Sequence, residues 1–157
     1  IAIQLDPGFV TAYINLGVAL KEHGKFEEAI ANHKKAIELN PNYVDGYSNL
    51  GNALKAQGKF EEAIQNYRKA IALNPDYAGA YNNLGNALKI QGMLDEAIEN
   101  FRMAIGLDPN FDLAYCNLGD ALQQVGDFAE AIDSYKKAMD IKPWSLTASW
   151  GISSCLD

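Results

Sequence analysis

Adjacent carboxylates are the residues of this chain whose types and spacing come closest to a catalytic pattern. They recur at a constant interval, as Glu27-Glu28, Glu61-Glu62 and Asp95-Glu96. Two carboxylates that face one substrate can serve as general acid and general base. Each pair here opens a stretch with helical apolar spacing, however, and acids at a helix start interact favourably with the helix dipole, by roughly 0.3–1 kcal/mol each. The recurrence therefore favours a structural role.

Basic residues follow each acidic pair and are predicted to lie at the end of the same helix, where they would complement the negative end of its dipole. The alternative is that these charges form an outer docking surface for a charged partner. The residues concerned are Lys34-Lys35, Arg68-Lys69, Arg102 and Lys136-Lys137.

Histidine and cysteine offer little for metal binding or nucleophilic catalysis. His23 and His33 are separated by a predicted turn, at a spacing that is not that of a metal-ligand pair. His33 is predicted to be a packing residue and His23 to be solvated, and Cys116 has no base nearby. The chain also lacks a phosphate-binding loop, a His-Glu-x-x-His motif and a dinucleotide-binding glycine pattern. We therefore predict no catalytic residue, no metal, no cofactor and no enzyme activity in this chain by itself.

The charge balance excludes two classes of partner. The chain has 157 residues, a net charge of −7 and a pI of about 4.8, and 48% of its residues are hydrophobic. An acidic surface of this kind is unsuited to nucleic acid or to anionic membranes, and no apolar run approaches the roughly 18 residues of a spanning helix. Two cysteines without a disulfide or metal spacing favour an intracellular location, cytoplasmic or, in a eukaryote, nuclear.

The chain is built from a repeated sequence pattern, and the period of the repeat equals the distance in sequence from Pro7 to Pro41. All five prolines obey it, and so do one tyrosine series and two glycine series. A period of about 34 residues is typical of stacked helical repeats, in which no unit buries its apolar faces alone. The repeated positions are Pro7, Pro41, Pro75, Pro109 and Pro143; Tyr13, Tyr47, Tyr81 and Tyr115; Gly17, Gly51, Gly85 and Gly119; and Gly24, Gly58, Gly92 and Gly126.

Each unit is predicted to contain two helices. In the third unit, the first helix has an apolar stripe from Tyr81 to Leu88 at three-and-four spacing, and Gly92 ends it with a left-handed cap. The second helix has a similar stripe that includes Phe101, and Pro109 ends the unit. Small residues on these faces let the helices approach, while aromatic rings fill the space beside them. Asp76 and Asn110 are predicted to cap the first helices that follow them.

These units resemble the tetratricopeptide repeat, and the resemblance covers residues 1–143. It implies an all-α fold, a right-handed α-solenoid of stacked antiparallel helix pairs in one domain over residues 1–157. We assign residues 1–9 to the tail of a preceding repeat, residues 146–157 to a capping helix, and full repeats to residues 10–43, 44–77, 78–111 and 112–145. The function implied is a protein-protein interaction scaffold.

One asparagine stands before Leu-Gly in every unit, although asparagine is a mediocre helix former. An amide side chain can pair with both the C=O and the N–H of a peptide unit, so four in register would hold an extended chain without regard to its sequence. Bonds between adjacent helices, or exposure to water, would explain them equally well. We call these residues the amide row: Asn15, Asn49, Asn83 and Asn117.

The phrase "NLGNALK" resembles the superhelical repeat region of the O-linked N-acetylglucosamine transferases, in which an inner asparagine ladder holds the substrate backbone. The resemblance implies that the amide row binds peptide on the concave surface and that Asn52 and Asn86 line the same surface. Lys21, Lys55 and Lys89 form an inner-edge series, which we call the lysine row. No Lys or Arg stands at the positions required by the two-carboxylate clamp of chaperone-binding repeats.

The leading hypothesis is therefore a scaffold that binds a protein or peptide ligand in extended conformation. One alternative is a self-assembling segment in which chains stack end to end as a homo-oligomer, helped by a tryptophan-rich tail. A second is the substrate-targeting arm of a glycosyltransferase whose catalytic domain is absent from this sequence.

Overall fold

The computed structural model describes residues 7–156, with side chains from Phe9 onward. The predicted tail of a preceding repeat comprises residues 1–9; residues 1–6 of it lie outside the described residues, and Pro7 is the first residue of α1. The chain also divides into two compact parts, each larger than one repeat: Ile1–Pro75 and Asp76–Asp157. From here on, unit 1 and unit 2 mean these two parts and not single repeats. Every regular element in the described range is an α-helix, which confirms the all-α prediction.

Unit 1 contains α1 (Pro7–Glu22), α2 (Phe26–Leu39), α3 (Val44–Ala56) and α4 (Phe60–Leu73). Successive helices pack side by side, and α1 also contacts α3. Unit 2 follows the same scheme with one further helix, and within it α5 contacts α7 and α7 contacts α9. Its helices are α5 (Ala78–Ile90), α6 (Leu94–Leu107), α7 (Asp112–Val125), α8 (Phe128–Ile141) and α9 (Leu146–Leu156).

Glycines on the odd-numbered helices let aromatic rings of the even-numbered helices approach the backbone. A methyl group added at Gly51, Gly85 or Gly119 would lie 2.6–2.7 Å from the ring of Tyr67, Phe101 or Tyr135 respectively. Those three rings are fully buried. The predicted pairing of small and aromatic residues is thus confirmed, and it brings the paired helices close enough to exclude water.

The repeated turns depend on glycine for another reason. Gly24, Gly58, Gly92 and Gly126 have φ between 74° and 87°, and a side chain at any of them would meet open space. Left-handed backbone costs roughly 1–2 kcal/mol for an ordinary L-residue, so conformation rather than packing selects glycine here.

Two predictions about helix ends are wrong. The even-numbered helices continue beyond their basic residues, so that Lys34-Lys35 and Arg68-Lys69 lie in mid-helix and the last turns of α2, α4, α6 and α8 contain no base. The dipole therefore does not explain those charges. The first helices begin after an aromatic N-cap, Tyr77 or Phe111, rather than after Asp76 or Asn110. The aromatic residue's own carbonyl accepts the N–H of Ala80 or Ala114, which replaces a side-chain cap.

Candidate functional site

The amide row occupies equivalent positions on α1, α3, α5 and α7, and its members differ in burial. Asn15 is exposed, Asn49 and Asn83 are half-buried, and Asn117 is buried with 7% of its surface exposed. Within residues 9–156, the side chains of Asn15, Asn49 and Asn83 make no hydrogen bond. Three of the four amides are thus accessible and retain their donors and acceptors.

Asn117 is already engaged within unit 2. Its Nδ2 donates a hydrogen bond of 2.8 Å to Oδ1 of Asn82, which is itself only 3% exposed. This bond joins α5 to α7. Asn82 belongs to the residues that precede the amide row, a buried series on the odd-numbered helices: Ile14, Ser48, Asn82 and Cys116.

We expect Asn117→Ala to lower the free energy of unfolding by about 1–3 kcal/mol, because it leaves the buried Asn82 oxygen without a donor. Asn15→Ala, at an exposed site, should change stability by no more than about 0.5 kcal/mol. Urea denaturation followed by circular dichroism measures both. Equal effects of the two substitutions would contradict a structural role for the Asn82–Asn117 bond.

Asn52 and Asn86, which follow the amide row by about one helical turn, have different surroundings. The buried Tyr67 hydroxyl donates to Oδ1 of Asn52 at 2.8 Å. Asn86 has the corresponding position in the next repeat, where the ring is Phe101 and offers no hydroxyl. In the fourth repeat the position is Asp120, which accepts a hydrogen bond of 2.8 Å from Tyr135. Burial raises the pKa of both tyrosines, so each remains a neutral donor at physiological pH.

One of the three lysines in the lysine row, Lys89, forms an ion pair. Nζ of Lys89 lies 3.0 Å from Oδ2 of Asp120, and this lysine side chain is only 14% exposed. Lys21 and Lys55 are half-buried and form no ion pair within residues 9–156. Burial, followed by the charge of Lys21, lowers the pKa of the Lys55 ammonium group. Unit 1 therefore presents two positive charges that its described carboxylates do not pair with.

A cavity of about 470 Å³ lies between α7 and α9 and is also lined by Tyr135 of α8. Trp150 borders it and is 80% exposed. Gln123, in the lysine-row register, donates a 2.8 Å hydrogen bond to Oγ of Ser154 across the rim. The repeat pattern does not predict a site at Trp150, although this residue occupies the repeat position of Cys116. The lining residues are Asp120, Gln123, Tyr135, Leu146, Thr147, Trp150, Gly151 and Ser154.

His33 and Cys116, a titratable and a nucleophilic side chain, lie in the core. His33 is fully buried beside Gly17, and neither of its ring nitrogens has a hydrogen-bond partner among the described residues. Burial raises the pKa of the Cys116 thiol, which disfavours the reactive thiolate. Within the described residues, no group of three or more His, Cys, Asp or Glu side chains could hold a metal ion. The accessible chemistry is therefore hydrogen bonding and charge pairing along the odd-numbered helices.

Sequence models of one repeat family match most of the chain. The model described as "TPR repeat" matches residues 19–58, 51–92 and 85–126, and the model described as "Tetratricopeptide repeat" matches residues 113–145. Among curated proteins, no sequence gives a significant match. None of the helices within residues 7–156 has the length and apolar character to cross a membrane.

Solved structures with the same fold include two of MamA, each 30% identical in sequence to this chain. One has a TM-score of 0.81 and covers 88% of this chain and 81% of MamA; the other has a TM-score of 0.82 and covers 94% and 80%. PilF of Pseudomonas aeruginosa is 26% identical, with a TM-score of 0.89 over 95% of this chain and 68% of its own.

Proposed function

Because the chain belongs to the tetratricopeptide repeat family, we propose that it is a non-catalytic scaffold that binds extended polypeptide along the odd-numbered helices of each unit. Repeats of this family generally act as protein-binding surfaces. The observation that supports peptide binding here is the set of accessible, unbonded amides at Asn15, Asn49 and Asn83. Within each unit the peptide would also pass the neighbouring asparagine and lysine-row residues, which are Asn52, Lys21 and Lys55 in unit 1 and Asn86 and Lys89 in unit 2.

In this proposal Asn117, the fourth member of the amide row, contributes less to peptide binding, because its amide is buried. Its Nδ2 is committed to Asn82, so a peptide would have to use its remaining donor and acceptor or displace that bond. We therefore assign most of the backbone binding to the first three members of the row. A net hydrogen bond contributes roughly 0.5–1.5 kcal/mol, so the two amides of unit 1 supply about 2 kcal/mol and Asn83 of unit 2 about 1 kcal/mol. Side-chain contacts must add the rest of any useful affinity.

We expect the triple variant Asn15→Ala/Asn49→Ala/Asn83→Ala to weaken peptide binding at unit 1 by roughly 30-fold, the equivalent of about 2 kcal/mol, and to weaken binding at unit 2 as well. The probe is a library of N-acetylated, C-terminally amidated nonapeptides of random sequence. Fluorescence anisotropy of labelled members that bind the wild type gives the dissociation constants.

A matched control exists on the even-numbered helices. Asn32, Asn66 and Asn100 follow one another at the period of the repeat, and each amide donates to the carbonyl one turn earlier in its own helix, at 2.8 Å. The variant Asn32→Ala/Asn66→Ala/Asn100→Ala removes the same number of amides elsewhere and should bind like the wild type. Equal affinity of the amide-row variant and the wild type would remove the peptide-binding role.

Self-association is a second candidate, supported by the surface of α9. Trp150 and Leu146 on this helix are 80% and 81% exposed, and exposed apolar groups of this size favour contacts between molecules. Sedimentation velocity over a range of concentrations separates the candidates, since a protein that stays monomeric at high concentration does not associate through α9. The glycosyltransferase-arm alternative rests on the sequence resemblance alone.

A further inference from the structure

Lys89 and its counterpart Lys21 in unit 1 differ in whether the adjacent helix offers a carboxylate. Lys89 on α5 reaches Asp120 on the adjacent helix α7. For Lys21 on α1, the equivalent position on the adjacent helix α3 is Asn52, which carries no charge and whose Oδ1 already accepts the Tyr67 hydroxyl. The geometry that neutralises one lysine in unit 2 thus supplies no carboxylate to Lys21 in unit 1.

The carboxylates of α2 are engaged with other partners. Glu27 accepts a hydrogen bond from Gln57. Glu28 forms an ion pair with Lys25, and Glu38 forms one with Lys35. The distances are 2.8 Å for Glu27 and Gln57, 3.4 Å for Glu28 and Lys25, and 3.0 Å for Glu38 and Lys35. Glu28 and Glu38 therefore each have a cation of their own, and the partner of Glu27 is an amide rather than a lysine.

The acidic residues of α1 and α3 form no ion pair with the lysine row within residues 9–156. Glu22 directly follows Lys21, and adjacent residues of a helix do not face each other. Asp45 lies in the first turn of α3 and Lys55 in its last, which places them at opposite ends of the helix. Since α1 and α3 pack side by side, Lys21 and Lys55 lie at the same register of neighbouring helices, and neither forms an ion pair within residues 9–156.

We propose that Lys21 and Lys55 form a subsite for an acidic side chain of the bound peptide. The inference rests on the proposed function and adds a sequence preference to it, since the amide row reads only the backbone. The two like charges repel each other, and burial of the Lys55 side chain adds to the cost of its charge in the free protein. A glutamate or aspartate between them relieves that repulsion and forms charge-assisted hydrogen bonds.

The test compares three forms of the nonapeptide library, in which each position in turn is fixed as Glu, Gln or Lys. All peptides are N-acetylated and C-terminally amidated, so that terminal charges do not contribute. We expect the wild type to prefer Glu over Gln at one position by about tenfold, at the lower end of the range for hydrogen bonds to charged groups. Lys at that position should bind more weakly than Gln.

The variant Lys21→Gln/Lys55→Gln should lose the Glu preference and bind Glu and Gln peptides with equal affinity. Glutamine is compatible with the fold, because Gln123 occupies this register on α7. The control Lys34→Gln/Lys69→Gln removes the same charge from exposed sites on α2 and α4 and should keep the preference. A second measurement needs no variant: the preference of the wild type should shrink as salt rises from about 50 to about 500 mM, because ions screen the charges.

The outcomes separate this inference from the proposed function. If wild-type protein binds Glu and Gln peptides equally, or if the Glu preference survives in Lys21→Gln/Lys55→Gln, the acidic subsite is overturned and peptide binding stands. If the preference is insensitive to salt, the lysines are likewise not its source. If no peptide binds at all, both proposals fall.

Discussion

Gly85→Leu should unfold at a markedly lower urea concentration than the wild type, with a loss of about 3 kcal/mol in the free energy of unfolding. A single methyl group at this position would already lie 2.7 Å from the ring of Phe101, which is fully buried on α6. Neither the ring nor the backbone of α5 can yield without opening the helix pair. Urea denaturation, followed by circular dichroism, measures the change.

Gly106 provides the matched control for this substitution. It also lies within a helix of unit 2, but a side chain there would meet no atom within 4 Å. Gly106→Leu should leave stability unchanged or raise it by up to about 1 kcal/mol, because leucine is the better helix former. The double variant Gly85→Leu/Phe101→Ala tests the cause. If the double variant loses as much free energy of unfolding as Gly85→Leu and Phe101→Ala lose together, the Phe101 ring is not the obstacle.

His33→Phe should remove a pH dependence of stability that the wild type possesses. Burial, and then the charge of Lys21, lowers the pKa of His33 from 6.5 to about 4 in the folded chain. Between those values the unfolded chain binds more protons, so stability falls as the pH falls from about 6.5 towards 4 and is fully present above that window. From about pH 7 to about pH 4.5 the wild type should lose about 2–3 kcal/mol that His33→Phe retains.

The comparison is made as the difference between the two unfolding curves at each pH, because the carboxylates titrate in both proteins. At neutral pH, His33→Phe should also be more stable by about 1–3 kcal/mol, since two buried ring nitrogens without partners disappear. His23→Gln, at an exposed position, should follow the wild-type curve. Parallel curves for His33→Phe and the wild type would show that His33 does not titrate on unfolding.

The helix pairs could be predicted because they depend on residues that recur. A glycine facing an aromatic residue, a turn glycine and a proline return in each repeat, and each has one steric reason to be where it is. The helix ends were less predictable. Lys34-Lys35 was expected to end α2, but the apolar stripe continues to Leu39, and burial of that stripe outweighs a dipole interaction of less than about 1 kcal/mol.

The surroundings of the candidate site could not be predicted from a repeat, because they depend on departures from it. Asn117 has the sequence context of Asn83, yet it donates to Asn82, a residue whose counterpart in the second repeat is Ser48. Lys89 and Lys21 look alike in sequence and differ because Asp120 replaces an asparagine on the neighbouring helix. Contacts between repeats thus decide which identical residues remain available.

The exposed indole beside the cavity has a practical consequence. The chain contains two tryptophans, Trp144 and Trp150, and both belong to unit 2 with 77% and 80% of their surface exposed. Emission from these indoles reports on the neighbourhood of α9. Quenching by iodide would therefore distinguish a molecule that shields α9 from one that occupies only the first half of the chain, without any added label.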